Sequence, residues 1–312
     1  MITADLLRDA AARAVVYLES LEKRDVVPTP EAMERLAELD EPLPNGPVEP
    51  QEVLALLDEI GSPATVATAG GRYFGFVIGG VLPATLAANW LAGAWDQNAG
   101  LVVMSPIAAK LEEVALRWLV DILGLPEECG GAFVTGATMA NFTGLAAARH
   151  AVLAKVGWDV EARGLFDAPP VTVVVGEEAH STLFKALAML GMGRDRVVRI
   201  PVDGQGRVQA GALPSLSGPT IISLQAGNVN TGAFDPVREV CEVAHEAGAW
   251  VHVDGAFGLW ASAAPDRAYL TDGVGDADSW ATDAHKWLNV PYDSGLAFVR
   301  DAQHLRAAMA LS

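Results

Sequence analysis

Residues 250–258, WVHVDGAFG, and residues 278–287, DSWATDAHKW, decide the fold of this chain. Each stretch contains a short run rich in β-branched and aromatic residues, which is typical of a buried strand. Charged residues follow each run, Asp254 in the first stretch and Asp283 to Lys286 in the second. Because ligands bind at the carboxyl ends of strands in open α/β sheets, we expect these charged groups to face a common site.

The same pattern recurs on both sides of these two stretches. Five further runs predict strands, namely GAFVT at 131–135, VTVVV at 171–175, RVVRI at 196–200, TIISL at 220–224 and GLAFV at 295–299. Helical segments begin near Met139, Ser181 and Asp235 and separate several of the runs. Apolar strands bounded by helices predict an α/β fold, with a mostly parallel sheet flanked by helices on both faces.

The N-terminal part of the chain has a different character. An amphipathic helix pattern and a Pro-rich acidic connector fill the first 60 residues, and a glycine-rich apolar passage follows at 70–100. We interpret residues 1–100 as a helical arm and connector whose apolar passage packs against another surface. Residues 101–300 form the predicted main domain, and residues 301–312 begin a further, truncated region.

The clearest helix in the sequence follows Ser105. Ser105 is a predicted N-cap, Pro106 suits the first helical position, and Gly124 is a predicted stop. The apolar positions recur with helical spacing and predict a face against a core. These positions are Ile107, Leu111, Val114, Ala115, Trp118, Leu119 and Ile122.

Composition excludes several classes of protein. The 312 residues are 51% hydrophobic and carry a net charge of −18, which disfavours nucleic acid and anionic membranes as partners. No uncharged apolar run is long enough for a membrane span, and the N-terminus lacks a secretory signal pattern. The only two cysteines, Cys129 and Cys241, have no spacing typical of a disulfide framework or a metal site, so we predict no metal and a cytoplasmic location.

Two turns after predicted strands have residues suited to binding. Gly136-Ala137-Thr138 precedes a helix, whose N-terminus offers backbone N–H groups to a phosphate, although a plain tight turn has the same pattern. The sequence lacks both a Walker loop and a dinucleotide fingerprint. His180 follows the VTVVV strand and could act as a general base, cap the next helix, or stack on a planar ligand.

The two deciding stretches contain the other candidates. Asp254 ends an apolar strand, so its carboxylate needs a cation or hydrogen-bond donors unless it caps the next turn. A heterocyclic nitrogen that must stay protonated is one such cation. Lys286 is either a surface lysine or a desolvated amine, which becomes a nucleophile toward carbonyls.

Taken in order, five motifs resemble a known family. They are TGATMAN at 135–141, EEAHSTLFKA at 177–186, GNVNTGAFDP at 227–236, HVDGAFG at 252–258 and DAHKWLN at 283–289. The set is similar to the group II amino-acid decarboxylases, which are fold-type I enzymes dependent on pyridoxal 5'-phosphate (PLP). The similarity spans roughly residues 70 to 300 and implies a PLP-dependent transferase-like large domain.

The resemblance implies how this chain would hold the phosphate of PLP. Ala137 and Thr138, together with His285, would bind the phosphate beside Gly136. Asp283 would lie next to the same group.

The resemblance also implies how the rest of the cofactor would be held. Lys286 would form the Schiff base, Asp254 would pair with the ring nitrogen, and His180 would stack on one face of the ring. Ala256 would pack on the other face. Asn228 would lie near the phenolic oxygen, where the family usually has a hydroxyl residue.

The implied function is decarboxylation of a small-molecule L-amino acid to an amine and carbon dioxide by a cytoplasmic homodimer. The alternatives are another PLP reaction, such as aldehyde synthesis, carbon–carbon cleavage or amino transfer, and a catalytically incomplete PLP-binding fragment. The last alternative arises because the chain ends 26 residues after Lys286. The family has a mobile catalytic loop and a smaller C-terminal domain beyond that point.

Overall fold

The structure is a computed structural model that describes residues 4–310. Contacts between Cα atoms divide the chain after Gly80 into two compact units. The domain boundaries at residues 100 and 300 stay predictions. No helix in the range 4–310 is both long enough and apolar enough to cross a bilayer.

The first unit is built from short helices. They are α1 (Ala4–Ser20), α2 (Pro30–Arg35), α3 (Pro50–Leu56) and α4 (Ser62–Ala64), with single turns at Leu36–Leu39 and Leu57–Gly61. Thr29 caps α2 by accepting the N–H of Ala32 at 3.2 Å. Arg13 joins α1 to the segment after α3, because its guanidinium lies 3.1 Å from Asp9 and 2.9 Å from Asp58.

A seven-stranded sheet organises the second unit. Its strands are β1 (Gly130–Val134), β2 (Thr172–Gly176), β3 (Val198–Ile200), β4 (Thr220–Gln225), β5 (Trp250–Asp254), β6 (Ser279–Asp283) and β7 (Gly295–Val299). Their order across the sheet is β1-β7-β6-β5-β4-β2-β3. The predicted fold class is confirmed: β7 alone runs antiparallel to its neighbours, and the other pairings are parallel.

Helices accompany the sheet, as expected for strands buried on both faces. They are α5 (Pro83–Trp95), α6 (Pro106–Ile122), α7 (Ala137–Ala154), α8 (Val160–Arg163), α9 (Ser181–Met189), α10 (Val237–Glu246), α11 (Ala284–Trp287) and α12 (Ala302–Met309). Single 3₁₀ turns lie at Ala210–Ala212, Gly258–Ala263, Ala268–Thr271 and Val274–Asp276. Strands β4 to β7 are buried along their whole length, and Trp280 and Phe298 are among the largest fully buried side chains. The core of this unit therefore lies around the central strands.

The helix predicted after Ser105 forms as α6, but its predicted orientation is wrong. Ser105 accepts the N–H of Ala108 at 3.3 Å, and Gly124 has the left-handed φ of 64° expected of a helix stop. Leu119 is buried, whereas Trp118 is 63% exposed. Most of the large side chains of the predicted face are likewise exposed, namely Ile107, Leu111, Trp118 and Ile122. Helical periodicity identifies an apolar face correctly, but it does not say what covers that face.

Candidate active site

The candidate residues lie at one edge of the sheet because β1, β2, β4, β5 and β6 share a direction. At that edge β5 and β6 are neighbours, and Asp254 is paired with Ala281. The N–H of Asp283 donates to the carbonyl of Ala256 at 3.0 Å. The residues after β5 and after β6 are thus brought side by side, as their positions at strand ends predict.

The predicted phosphate turn is the N-terminus of α7. That helix begins at Ala137, whose N–H donates to Asp283 Oδ1 at 2.6 Å. The backbone N–H groups of Thr138 and Met139, one and two residues further on, have no hydrogen-bond partner within the described part of the chain. The helix N-terminus that follows Gly136 therefore has open donors at Thr138 and Met139, whereas Asp283 occupies the N–H of Ala137.

Asp283 also holds the candidate nucleophile. Lys286 Nζ lies 3.2 Å from Asp283 Oδ2, and the two side chains are 17% and 4% exposed. Lys286 Nζ also lies 5.8 Å from the centre of the Phe257 ring. Lys286 is thus a largely buried amine at the sheet edge, which excludes the alternative of a surface lysine.

His285 is fixed between Lys286 and the start of β7. Its Nδ1–H donates to the carbonyl of Ser294 at 3.0 Å, and its Nε2 lies 3.7 Å from Asp283 Oδ2. The ring also packs against Tyr292, with ring centres 4.1 Å apart. Because Nδ1 is engaged with the backbone, Nε2 is the nitrogen directed to the site.

Asp254 is a buried carboxylate with few donors. Asn141 Nδ2 donates to its Oδ2 at 3.0 Å, and the N–H of Ala256 donates to its Oδ1 at 3.2 Å. Burial raises the pKa of Asp254, and the hydrogen bond from Asn141 and the charges of His180 and Lys286 oppose that rise. Asp254 is therefore a buried carboxylate whose hydrogen-bond donors are neutral. A further cation would stabilise its charge, and Lys286 and His180 already interact with it electrostatically.

His180 caps α9. Its Nδ1 accepts the backbone N–H of Thr182 at 3.4 Å and lies 2.9 Å from the hydroxyl of the same residue. Capping was one of the roles open to His180, and the ring itself is exposed. Stacking on a planar ligand stays a prediction that this geometry permits.

Asn228 belongs to a turn near this group. Its side-chain oxygen accepts the N–H groups of Asn230 at 2.9 Å and Thr231 at 3.3 Å, and its Nδ2 donates to Glu178 Oε2 at 3.0 Å. Each polar atom of its side chain therefore has a partner in the turn or in the segment after β2. Its expected place near a phenolic oxygen stays a prediction.

The sequence alone does not reveal the side chains that support Asp254. Asn141 lies at the end of TGATMAN, and His252 lies two residues before Asp254 on the same strand face. His252 is completely buried within the apolar run of β5, and it contacts Asn141 and Ser279. A histidine inside a buried apolar strand requires polar partners, and this requirement was the available signal.

Comparison with known proteins is consistent with this geometry. The family model described as the pyridoxal-dependent decarboxylase conserved domain matches residues 39–312. The chain is 29% identical to the aromatic-L-amino-acid decarboxylase of Bacillus atrophaeus over 86% of its own length and 55% of that protein. It is 27% identical to human cysteine sulfinic acid decarboxylase over 77% of its length and 50% of that protein.

A solved structure shows the same fold. The tryptophan decarboxylase (TDC) of Oryza sativa, crystallised with PLP and tryptamine, superposes with a TM-score of 0.86 at 26% identity. The match covers 100% of this chain and 67% of that one. The chain spans about half the length of the curated relatives it matches.

Proposed function

This chain belongs to the pyridoxal-dependent decarboxylase family, and from that membership we propose that it binds PLP through Lys286 and directs the decarboxylation of an L-amino acid. The observation that carries the proposal is the placement of a largely buried amine and a buried carboxylate where two adjacent strands end. Asp254 ends β5, Lys286 lies three residues after the end of β6, and these two strands pair directly. This arrangement supports the proposal that the two side chains hold opposite parts of one small aromatic molecule.

The surroundings of Asp254 fit a protonated ring nitrogen. Its carboxylate is 6% exposed, and both of its hydrogen bonds come from neutral donors, Asn141 and Ala256. A buried carboxylate with neutral donors alone is costly, and a cationic N–H of the ring would supply the missing charge. Ala256 lies beside this carboxylate, which supports its proposed place against the ring.

The N-terminus of α7 fits the phosphate. The open N–H groups of Thr138 and Met139, the helix dipole and the Thr138 hydroxyl favour an anion there. Asp283 occupies the N–H of Ala137 and adds a negative charge next to this seat. Lys286 and His285 border the same carboxylate, and we propose that His285 Nε2 completes the phosphate contacts.

Each of these residues has a separate role in the proposed reaction. PLP, when bound, withdraws electrons through its protonated ring from the Cα bond held perpendicular to that ring. Lys286 would hold the cofactor through its amine until the substrate amine replaces it, and Asp254 would keep the proton on the ring nitrogen. His180, exposed in the segment after β2, would stack on the ring and orient the substrate. Which bond stands perpendicular decides the outcome, and we propose that it is the bond to the carboxylate.

We further propose that the protein is a cytoplasmic homodimer. The exposed apolar face of α6 supports a second copy as its partner, because exposed apolar residues that are contiguous on one face often mark an interface. The two cysteines, Cys129 and Cys241, are both free, which agrees with a reducing compartment.

Covalent trapping tests the assignment of the lysine. The purified protein is mixed with PLP, reduced with borohydride and digested, and the modified peptide is identified by mass spectrometry. We expect one labelled site, Lys286, and no label in the Lys286→Ala variant. Lys185→Ala is the matched control, since Lys185 is an exposed lysine of the same unit, and it should label like the wild type. A label on another lysine would overturn the assignment.

Product analysis tests the reaction. Incubation with a panel of L-amino acids should yield amine and carbon dioxide in equal amounts from at least one of them. An aldehyde, a cleaved side chain or a keto acid would indicate the corresponding alternative reaction. Trapping on Lys286 with no product from any amino acid would support a PLP-binding chain that is catalytically incomplete.

A further inference from the structure

A buried chain of hydrogen bonds runs from the beginning of β5 and β6 to Asp254. Trp250 Nε1 donates to Ser279 Oγ at 2.8 Å, and Ser279 Oγ lies 2.8 Å from His252 Nδ1. His252 Nε2 lies 2.8 Å from Asn141 Oδ1, and Asn141 Nδ2 donates to Asp254 Oδ2 at 3.0 Å. All five side chains are buried.

The donor at Trp250 fixes the direction in which the hydrogen bonds of this series point. The indole of Trp250 is a donor only, so Ser279 accepts from it and turns its own O–H toward His252 Nδ1. His252 then carries its proton on Nε2 and donates to Asn141 Oδ1. With its oxygen so occupied, the amide of Asn141 presents an N–H to Asp254.

The reverse direction would require a protonated Asp254. In that arrangement Asp254 would donate to Asn141, Asn141 to His252, and His252 to Ser279. Ser279 would then receive two donors, from His252 and Trp250, and its own O–H would have to find another acceptor. Because the indole of Trp250 cannot accept a hydrogen bond, the series of hydrogen bonds from Trp250 to Asp254 favours the ionised form of Asp254.

Two features keep the His252 ring neutral and in its place within this series of hydrogen bonds. Burial lowers the pKa of His252 to about 3, so the ring stays neutral across the ordinary range of pH. Gly144 of α7 leaves room for the ring, because a Cβ at that position would lie 2.7 Å from His252 Cε1. The helix that carries Asn141 therefore packs directly against the histidine that orients it.

A branch of the same network reaches His180. The second N–H of Asn141 makes a long hydrogen bond of 3.5 Å with Thr182 Oγ1, which in turn lies 2.9 Å from His180 Nδ1. Since His180 Nδ1 also accepts the backbone N–H of Thr182, its proton lies on Nε2. The side-chain amide of Asn141 thus contacts both Asp254, proposed to pair with the ring nitrogen, and Thr182, which holds His180.

We propose that Asn141 is a positioning residue that presents a donor to Asp254 and holds it as an ionised acceptor, and that Trp250, Ser279 and His252 fix the direction in which Asn141 points. The consequence for the ring nitrogen rests on the proposed function, whereas the direction of the hydrogen bonds does not. The titratable groups that act on Asp254 are His180 and Lys286, and a positive charge on either would lower the pKa of Asp254, in the same sense as the hydrogen bond from Asn141.

Nitrogen NMR of the cofactor-free protein tests the direction. With ¹⁵N-labelled histidine, one of the six histidines should show the proton fixed on Nε2 and no change between pH 5 and 8, and should disappear in His252→Gln. Ser279→Ala removes the donor to His252 Nδ1, so this signal should shift toward a mixture of the two tautomers. A wild-type His252 protonated on Nδ1, or one that titrates in this range, would overturn the proposal whether or not PLP binds.

Cofactor affinity tests the consequence at Asp254. Asn141→Asp keeps an acceptor for His252 and removes the donor to Asp254, so PLP affinity at pH 8 should fall on the order of tenfold. Thr143→Val is the matched control. Thr143 lies on α7, is 1% exposed, and its hydroxyl has no partner among the described residues. If Asn141→Asp binds PLP as tightly as Thr143→Val does, Asn141 has no positioning role; if the wild type fails to bind PLP, it is the proposed function that fails, and the NMR result stands by itself.

Discussion

Asp235 is a buried carboxylate outside the candidate active site. Its Oδ1 accepts the N–H of Val208 at 2.8 Å, and its Oδ2 accepts the N–H of Gln225 at 2.6 Å. Burial raises its pKa from 3.8 to about 6, against the lowering effect of these two hydrogen bonds. This residue joins the end of β4 to the loop that follows β3, so its ionisation bears on the stability of that region.

The sign of this shift predicts how stability depends on pH. Because the pKa of Asp235 is higher in the folded state, its stabilising contribution is complete below pH 3.8 and is lost as the pH rises through about 6. The side-chain amide of an Asp235→Asn variant cannot titrate, so the wild-type free energy of unfolding should fall relative to that variant by roughly 2 kcal/mol between pH 4 and 7. Urea unfolding of both proteins at several pH values measures the difference. A difference that grows in favour of the wild type as pH rises would contradict the assignment.

Single residues were predictable from sequence where strand periodicity locates them. Asp254 and Lys286 stand just beyond apolar runs, so their place at the sheet edge follows from the ends of those runs. The contact between Asn141 and His252 does not follow in this way. It requires that α7 cover the face of the sheet to which His252 points, and this is a fact of tertiary packing.

Gly136 and Gly295 show how closely two elements approach beside the phosphate turn. Gly295 begins β7, and a Cβ built on it would lie 2.5 Å from the backbone of Gly136. Real Cβ atoms do not come so near, so the absence of a side chain at Gly295 allows β7 to lie against the start of α7. The turn proposed to bind phosphate thus depends on a residue from another part of the chain.

Substitution of Gly295 tests this dependence. Gly295→Ala should lower the free energy of unfolding by roughly 1–3 kcal/mol through overpacking, and should weaken PLP binding as the turn moves. Gly93→Ala is the control, because a Cβ added to Gly93 in α5 would have no neighbouring atom within 4 Å, and there the change should be neutral or stabilising. Thermal unfolding and PLP titration measure both effects. Equal behaviour of the two variants would show that the close approach is unimportant.

Whole elements were predicted more completely than their arrangement. All seven predicted strands form, since short apolar runs bounded by turns are a strong local signal. The antiparallel direction of β7 was not predicted, although only residues 284–294 separate it from β6. So short a connection favours an antiparallel neighbour, because a parallel one requires a crossover of a dozen or more residues.

Helix α6 presents an apolar face that the described residues leave uncovered. Its exposed members are Ile107, Leu111, Trp118 and Ile122, at spacings typical of one face of a helix. The sequence predicts this apolar face and places it against a core. In a homodimer this face would be buried against the same face of the second copy. That contact would explain why the face is apolar in sequence and yet exposed in the single chain.

A charge placed on this face tests the proposed homodimer. Leu111, 53% exposed, lies near the middle of the helix, and in a twofold contact Leu111→Asp would bury two unpaired carboxylates at once. The dimer dissociation constant should rise on the order of a hundredfold or more, measured by sedimentation equilibrium. Lys110→Ala is the control, because Lys110 pairs with Glu113 outside the apolar face of the same helix, and this variant should remain dimeric. A wild-type chain that is monomeric at micromolar concentration would overturn the homodimer. A Leu111→Asp variant that stays dimeric would exclude α6 from the dimer interface.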